Sequence, residues 1–235
     1  MNDNDLKSST PSQSETEGPL RSDQLAELRE LPVPVIADVL DRVGYRHQVM
    51  ASRMRPVVAA RRIAGPAFPV QAVARAALPD NPYTKEIEAT DAVPNGSVFV
   101  INAGGVTEAG VWGELLATRA TERGCIGAVV DGGVRDLAGL ERLDFPTFAS
   151  AVHPADSYGR AEVISYGLPI ACGDVPIRRG DIITADIDGI AVIPYEVAAE
   201  VLANAIAKRT KEQEAQRMLD AGATVQETYE RHQVL

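Results

Sequence analysis

Apolar positions recur at helical spacing in two stretches near the start of the chain. In QLAELREL, Leu25 and Leu28 fall on one face, and Ser22 or Asp23 stands where a side chain caps a helix. In VIADVLDRV the same period runs up to Gly44, a usual terminator. Short β-branched and aromatic runs follow, PVVAA at 56–60, AFPVQAV at 67–73 and SVFVIN at 97–102, and these predict strands. NPYTKEIEATDAV between the last two predicts a helix, and PNG a turn. Trp112, Leu115, Leu116 and Ala120 then keep helical spacing, which predicts a helix over 111–123 closed by Gly124. A buried strand CIGAVVD at 125–131 leads through a Gly-Gly turn into a short helix, RDLAGLERL. Further strands are expected around 146–150, 161–165, 169–172 and 182–193, before a long helix over 196–219 with charged final turns.

Residues 1–21 carry no apolar period, being rich in Ser, Thr and Asn, and are expected to form a disordered tail. No internal repeat marks a second domain, so 22–235 reads as one layered α/β domain.

Composition narrows what that domain does. A chain of 235 residues with 45% hydrophobic content buries a core without staples. A formal charge of −10 argues against a nucleic-acid groove, which needs clustered Lys and Arg. It also means that an acidic substrate needs a local Arg or a metal ion to hold it. Cys125 and Cys172 both sit in apolar runs and read as small buried hydrophobes, so a reducing cytoplasm is the simplest compartment. No run reaches the roughly 18 apolar residues of a membrane span.

Two motifs offer chemistry. Gly113 stands at the entry of the helix that begins GELL, where the first N–H groups lack internal partners and attract anions. Read plainly, GELL is also an ordinary start to an amphipathic core helix. In DGGVRD, Arg135 offers a fork matched to a carboxylate, and Asp136 a hard oxygen suited to Mg²⁺ or Mn²⁺. A capped surface turn with a salt-bridged Asp136 fits the same letters. His47, His153 and His232 show no metal-ligand spacing and read as structural or incidental, although His153 and Arg160 follow the FPTFAS strand in a loop that could approach the site. Lys85, Lys208 and Lys211, the only lysines beyond the tail, show no apolar, pocket-like context for a Schiff base.

The stretch from GELL through DGGVRD resembles the signature of the RraA-like superfamily, in which class II aldolases act on 4-hydroxy-4-methyl-2-oxoglutarate and 4-carboxy-4-hydroxy-2-oxoadipate. Leu116 and Asp136 are 20 residues apart, as in that pattern. IADVLDRVG, IAGPAFPVQAV, FPTFAS and RRGDIITADIDGIAVIP resemble the family's successive landmarks, so the likeness covers about residues 30–220. It implies a swivelling β/β/α layered fold with a long C-terminal helix, assembled as a trimer or a dimer of trimers with sites at subunit interfaces.

The resemblance also implies a site. Backbone amides of Gly113, Glu114, Leu115 and Leu116 would hold the pyruvyl carboxylate of a small 2-oxo acid, and Arg135 its oxygens. Asp136 would be the one direct protein ligand of a Mg²⁺ or Mn²⁺ ion. Glu114 would orient a water, and an acid from a neighbouring subunit's C-terminal helix, Glu212 or else Glu214, would face the metal's waters. The expected activity is a carbon–carbon lyase, a pyruvate aldolase that also decarboxylates oxaloacetate. Two alternatives stand beside it: a protein-binding regulator of ribonuclease activity, which shares the fold, and a lyase for another hydroxy-oxo acid. A methyltransferase is disfavoured, because no Gly-rich strand-to-helix loop is present.

Overall fold

The computed structural model describes residues 18–58, 61–77 and 81–234. Most of the expected tail, and residues 59–60 of the first expected strand, lie outside them. The described chain opens with α1 (Ser22–Glu30) and α2 (Val33–Arg42). Ser22 and Asp23 lie inside α1 rather than before it, and Gln24 Oε1 accepts the Arg21 N–H at 3.0 Å. α2 starts two residues earlier than its apolar period suggested. Pro34 occupies the first turn, where its missing N–H costs nothing, and Asp186 Oδ2 takes the Val33 N–H at 2.9 Å.

β1 (Arg55–Val58), β2 (Ile63–Ala74), β3 (Val98–Asn102), β5 (Gly127–Val134) and β6 (Thr147–Val152) lie in one sheet with the hairpin β10 (Ile182–Ala185) and β11 (Ile190–Ile193). The order is β1-β6-β5-β3-β2-β10-β11, with β4 (Gly110–Trp112) added to β5 and β7 (Ala161–Tyr166) to β2. A small hairpin, β8 (Ile170–Cys172) and β9 (Val175–Ile177), stands apart in hydrogen bonding, and β9 had no counterpart in the predicted strands. β2 serves two partners in succession: Ile63–Pro66 pair antiparallel with β10, and Ala67–Gln71 pair parallel with β3.

Alternation along the strands builds the layers. In β3, Phe99 and Ile101 join a core with α3 (Thr84–Ala92), α4 (Glu114–Glu122) and α5 (Leu137–Arg142), while Val98 and Val100 face Met54, Ile177 and Ile183. In the hairpin, Ile183 and Val192 meet that second core, while Ile182 and Ile193 face α1, α2 and α6 (Ala198–Asp220). The one sheet curls over itself at β2, so helices cover both of its outer faces, giving a mixed α/β domain with a long C-terminal helix. α7 (Val225–His232), capped by Thr224, folds back on α6 and was not foreseen. No helix among the described residues is long and apolar enough to cross a membrane.

Two local readings change, and a third gains its physical reason. The stretch 110–112 is strand β4, and the helix begins only at Glu114; Trp112, whose spacing suited that helix, packs from the strand against Phe99 with ring centroids 4.8 Å apart. Gly132 and Gly133 make no turn but continue β5, because the segment 103–109 crosses over them. A Cβ on Gly132 would sit 2.3 Å from the Ala103 Cβ, and one on Gly133 2.3 Å from the Ala109 carbonyl oxygen. Lys208 is buried, its side chain only 4% exposed, between Asp38 of α2 at 3.0 Å and Glu212 one turn on. Burial works against its charge, but the two carboxylates prevail and raise its pKa, so the amine stays protonated and is no Schiff-base nucleophile.

Candidate active site

The C-terminal ends of β4 and β5 place the motif residues side by side. β4 pairs in parallel with β5, and the Arg135 N–H donates to the Trp112 carbonyl at 2.9 Å. The chain then enters α4 from Gly113 and α5 from Asp136, so two helix starts stand at one sheet edge. Asp136 has φ 59 and ψ 38, a left-handed conformation that Asp tolerates better than most residues. This turn carries its Oδ2 to 3.4 Å from the Glu114 N–H and 3.7 Å from Arg135 Nε. Gly113 admits the carboxylate, since a Cβ there would lie 2.6 Å from Oδ2.

Gly113, Glu114, Arg135 and Asp136 are thus neighbours. Leu116 packs against the core, while Leu115 is 83% exposed. Intrahelical bonding begins with the Ala117 N–H on the Gly113 carbonyl, which leaves the Leu115 and Leu116 amides directed outward. Glu114 Oε1 accepts from Arg142 Nη2 at 2.7 Å, and its other oxygen lies over Gly139, where a Cβ would come within 2.3 Å. Glu212 and Glu214 lie far along α6 with partners in their own chain: Lys208 and Arg209 for Glu212, and His232 of α7, 3.6 Å away, for Glu214.

Three residues with no motif complete the cluster. Asp156 Oδ2 stands 3.5 Å from Arg135 Nη2. Its loop is tied to the site by the Gly110 N–H, which donates to the Ala155 carbonyl at 2.8 Å. Burial opposes its charge, but the Tyr158 N–H, Arg135 and the Tyr83 hydroxyl hold the Asp156 carboxyl below the usual range. Tyr83 precedes α3, and Glu86 lies in its first turn. His153 and Arg160, which bracket Asp156, brace the loop: His153 Nδ1 accepts from the Ala155 N–H, and Arg160 Nη1 donates to the Asp156 carbonyl.

Glu86 is largely buried. Burial first, then the charge of Asp156, pushes its carboxyl up to about 7, with Arg135 pulling the other way. A carboxyl whose folded pKa exceeds its unfolded value near 4.5 destabilises the native state increasingly as pH rises from 4.5 toward 7. Glu86→Gln is therefore expected to add up to about 3 kcal/mol of stability at pH 8, at 1.36 kcal/mol per pKa unit, and almost none near pH 4. Urea unfolding of both proteins at the two pH values checks this, and an equal gain at both would rule out titration as the cause.

The donor set suits a hard divalent ion that keeps most of its waters. Asp136 offers a partly exposed carboxylate with no cation closer than Arg135. Among the described residues no three His, Cys, Asp or Glu side chains converge as a metal cage. One carboxylate plus water is a normal complement for Mg²⁺, which dehydrates reluctantly.

A family model described as RraA-like, Aldolase/RraA, matches residues 33–192. Protein DlpA of Legionella pneumophila is 28% identical over 221 residues, covering 94% of this chain but only 35% of its own length, so the chain spans about a third of that relative. A Halalkalibacterium halodurans protein named "Putative 4-hydroxy-4-methyl-2-oxoglutarate aldolase" is 32% identical over 197 residues, 84% of this chain and 89% of that one. The crystal structure of Streptomyces coelicolor RraAS2, described as an unusual member of the RNase ES inhibitor RraA protein family, has a TM-score of 0.74. It is 24% identical and covers 84% of this chain and 97% of its own, a likeness of fold.

Proposed function

Because the chain belongs to the RraA-like family, we propose that it is a divalent-metal-dependent class II aldolase that cleaves 4-hydroxy-4-methyl-2-oxoglutarate-type substrates to pyruvate and decarboxylates oxaloacetate. The observation that carries this reading is the left-handed turn at Asp136. It brings a partly exposed carboxylate, a guanidinium and a helix N-terminus together at one sheet edge. The relative in H. halodurans bears an aldolase name, which supports the same class.

In this reading the amides at the start of α4 bind the pyruvyl carboxylate, and Arg135 neutralises charge growing on the 2-oxo oxygen. Asp136 would hold Mg²⁺ or Mn²⁺, which supplies Lewis-acid polarisation of that carbonyl when bound. Cleavage breaks the C3–C4 bond as the 4-hydroxyl loses its proton, and the pyruvate enolate then takes a proton at C3. Glu114, its Oε1 fixed by Arg142, has its second oxygen to hold the water that exchanges those protons. Oxaloacetate decarboxylation passes through the same enolate, so one site serves both reactions.

The site also calls for a neighbour. Leu115, Ile87 and Tyr158, on the elements that line it, are exposed apolar groups of the kind a second subunit covers. A homotrimer or hexamer would cover them and present Glu212 or Glu214 of the adjoining C-terminal helix to the metal's waters.

Pyruvate release followed with lactate dehydrogenase, from 4-hydroxy-4-methyl-2-oxoglutarate and from oxaloacetate, tests the proposal. Turnover of the aldol substrate is expected with Mg²⁺ or Mn²⁺, and its loss, to below about 1% of that rate, with excess chelator. Turnover of oxaloacetate alone would leave a family lyase for another hydroxy-oxo acid. No turnover of either by folded protein would reject the aldolase and favour a ribonuclease regulator of the kind named for RraAS2.

A further inference from the structure

The Arg135 side chain is only 33% exposed, yet both of its contacts with carboxylates are long ion pairs rather than hydrogen bonds. Asp136 Oδ2 lies 3.7 Å from Nε, and Asp156 Oδ2 lies 3.5 Å from Nη2. Nε and Nη2 form one edge of the guanidinium, so both carboxylates stand along that edge and Nη1 is left to a ligand. The aldolase reading gives Asp136 to the divalent ion and assigns Asp156 nothing.

We propose that Asp156 is the positioning residue of this site: it keeps the Arg135 guanidinium in the orientation that neutralises charge on the 2-oxo oxygen once Asp136 is committed to the metal. The inference rests on the aldolase reading and adds a residue to it.

Asp156 is itself fixed from several directions. Its Oδ1 accepts from the Tyr158 N–H at 3.2 Å and from the Ser157 hydroxyl at 3.3 Å, while its carbonyl accepts from Arg160 Nη1 at 3.0 Å. Oδ1 is thus spent on the loop and Oδ2 is left for Arg135. The loop backbone is tied to β4, where Asp156 bridges to Gly110 in parallel and the Gly110 N–H donates to the Ala155 carbonyl at 2.8 Å. The same glycine supports the arginine. A Cβ on Gly110 would lie 2.8 Å from Arg135 Cγ and 3.0 Å from Cδ, so the Arg135 stem rests on the β4 backbone. One residue therefore joins the loop that carries Asp156 to the side chain with which Asp156 pairs.

The need for such a partner follows from the chemistry. An arginine on a long, freely rotating stem recognises an oxygen in one geometry only if its planar tip is held. Two carboxylates hold the tip here. When Asp136 turns its charge to a cation, its attraction for Nε weakens, and Asp156 remains as the other carboxylate within 4 Å of the guanidinium among the described residues. In the aldolase reading Arg135 meets charge that grows only as the carbon–carbon bond breaks. Its orientation then matters most in the transition state and shows in kcat before KM. Removing the Asp156 charge leaves the positive charge of Arg135 in place, so attraction of the anionic substrate in the ground state is kept.

Asp156→Asn, Arg135→Lys and the double variant carrying both test this against wild type, all with Mg²⁺ at neutral pH. Pyruvate release gives kcat and KM. Calorimetric binding of oxalate, a planar dianion shaped like the pyruvate enolate, reads the site without turnover. Asp156→Asn is expected to lower kcat by about 10- to 100-fold, with KM within about 3-fold of wild type and an unchanged melting temperature. It is also expected to weaken oxalate more than pyruvate. Asp156→Glu, which keeps the charge, is expected to lose less than Asp156→Asn. Added to Arg135→Lys, Asp156→Asn is expected to change kcat and oxalate affinity by less than about 2-fold, because the group it positions is gone. A kcat in Asp156→Asn within about 2-fold of wild type, an equal loss in Asp156→Glu, or the same loss in both Arg135 backgrounds overturns the inference. Failure of both pyruvate and oxalate to bind wild-type protein that melts normally overturns the aldolase reading beneath it.

Discussion

Asp136→Asn is expected to lower kcat/KM for metal-dependent pyruvate release by about 10³-fold while leaving the melting temperature nearly unchanged. Asn is the informative replacement. It keeps the shape of the side chain and shares with Asp the tolerance for the left-handed backbone at φ 59. Ala at the same position would add backbone strain of about 1 kcal/mol and confuse lost chemistry with lost stability. The amide still accepts from the Glu114 N–H, so the start of α4 is preserved, but the anionic metal ligand is gone. Paired turnover and thermal melts separate the two effects. A variant that keeps more than about a tenth of wild-type kcat/KM would remove Asp136 from the proposed chemistry.

Gly133→Ala is expected to destabilise the fold by about 4 kcal/mol or more, enough to leave much of the protein unfolded at 37 °C. Overpacking a core commonly costs about 1–3 kcal/mol when side chains can move aside. Here the obstacle is backbone: the new Cβ would lie 2.3 Å from the Ala109 carbonyl oxygen and 3.0 Å from that of Thr107. The crossing segment cannot retreat without breaking the Gly133 N–H bond to the Val106 carbonyl at 3.0 Å and shifting β4. Urea denaturation measures the loss. Gly113→Ala supplies the contrast, since its Cβ would press mainly on the Asp136 carboxylate and should impair the site more than the fold.

The same glycines show where sequence reasoning stops. A Gly-Gly pair after an apolar strand has the signature of a turn, and only a second backbone crossing overhead reveals the strand. Trp112 fits a helix with Leu115 and Leu116 by spacing, yet it belongs to the three-residue strand β4, and a Gly entry precedes that helix. Local pattern did carry the outer framework, from α2 stopping short of Gly44 to the long α6 and extended chain within 182–193, although the split of that last stretch into the hairpin β10–β11 was not legible. Motif letters also led to Gly113, Glu114, Arg135 and Asp136, which the fold brings together. Tyr83, Glu86 and Asp156 were not legible. Glu86 and Asp156 belong to separate elements and meet only after β2, β3 and β7 have brought α3 beside the loop. The burial of Lys208 was not legible for a related reason, because it depends on α2 lying across α6.

β2 has a consequence for how the domain comes apart. One 12-residue strand is hydrogen-bonded first to the hairpin on one side and then to the parallel sheet on the other, with no loop between the two roles. Neither layer can lose its order while the other keeps a complete edge. Unfolding should therefore be a single cooperative event, with the helices packed on opposite faces reporting one shared midpoint. The amide protons of Ile63–Gln71 should be among the last to exchange with solvent, at a rate set by global opening of the molecule.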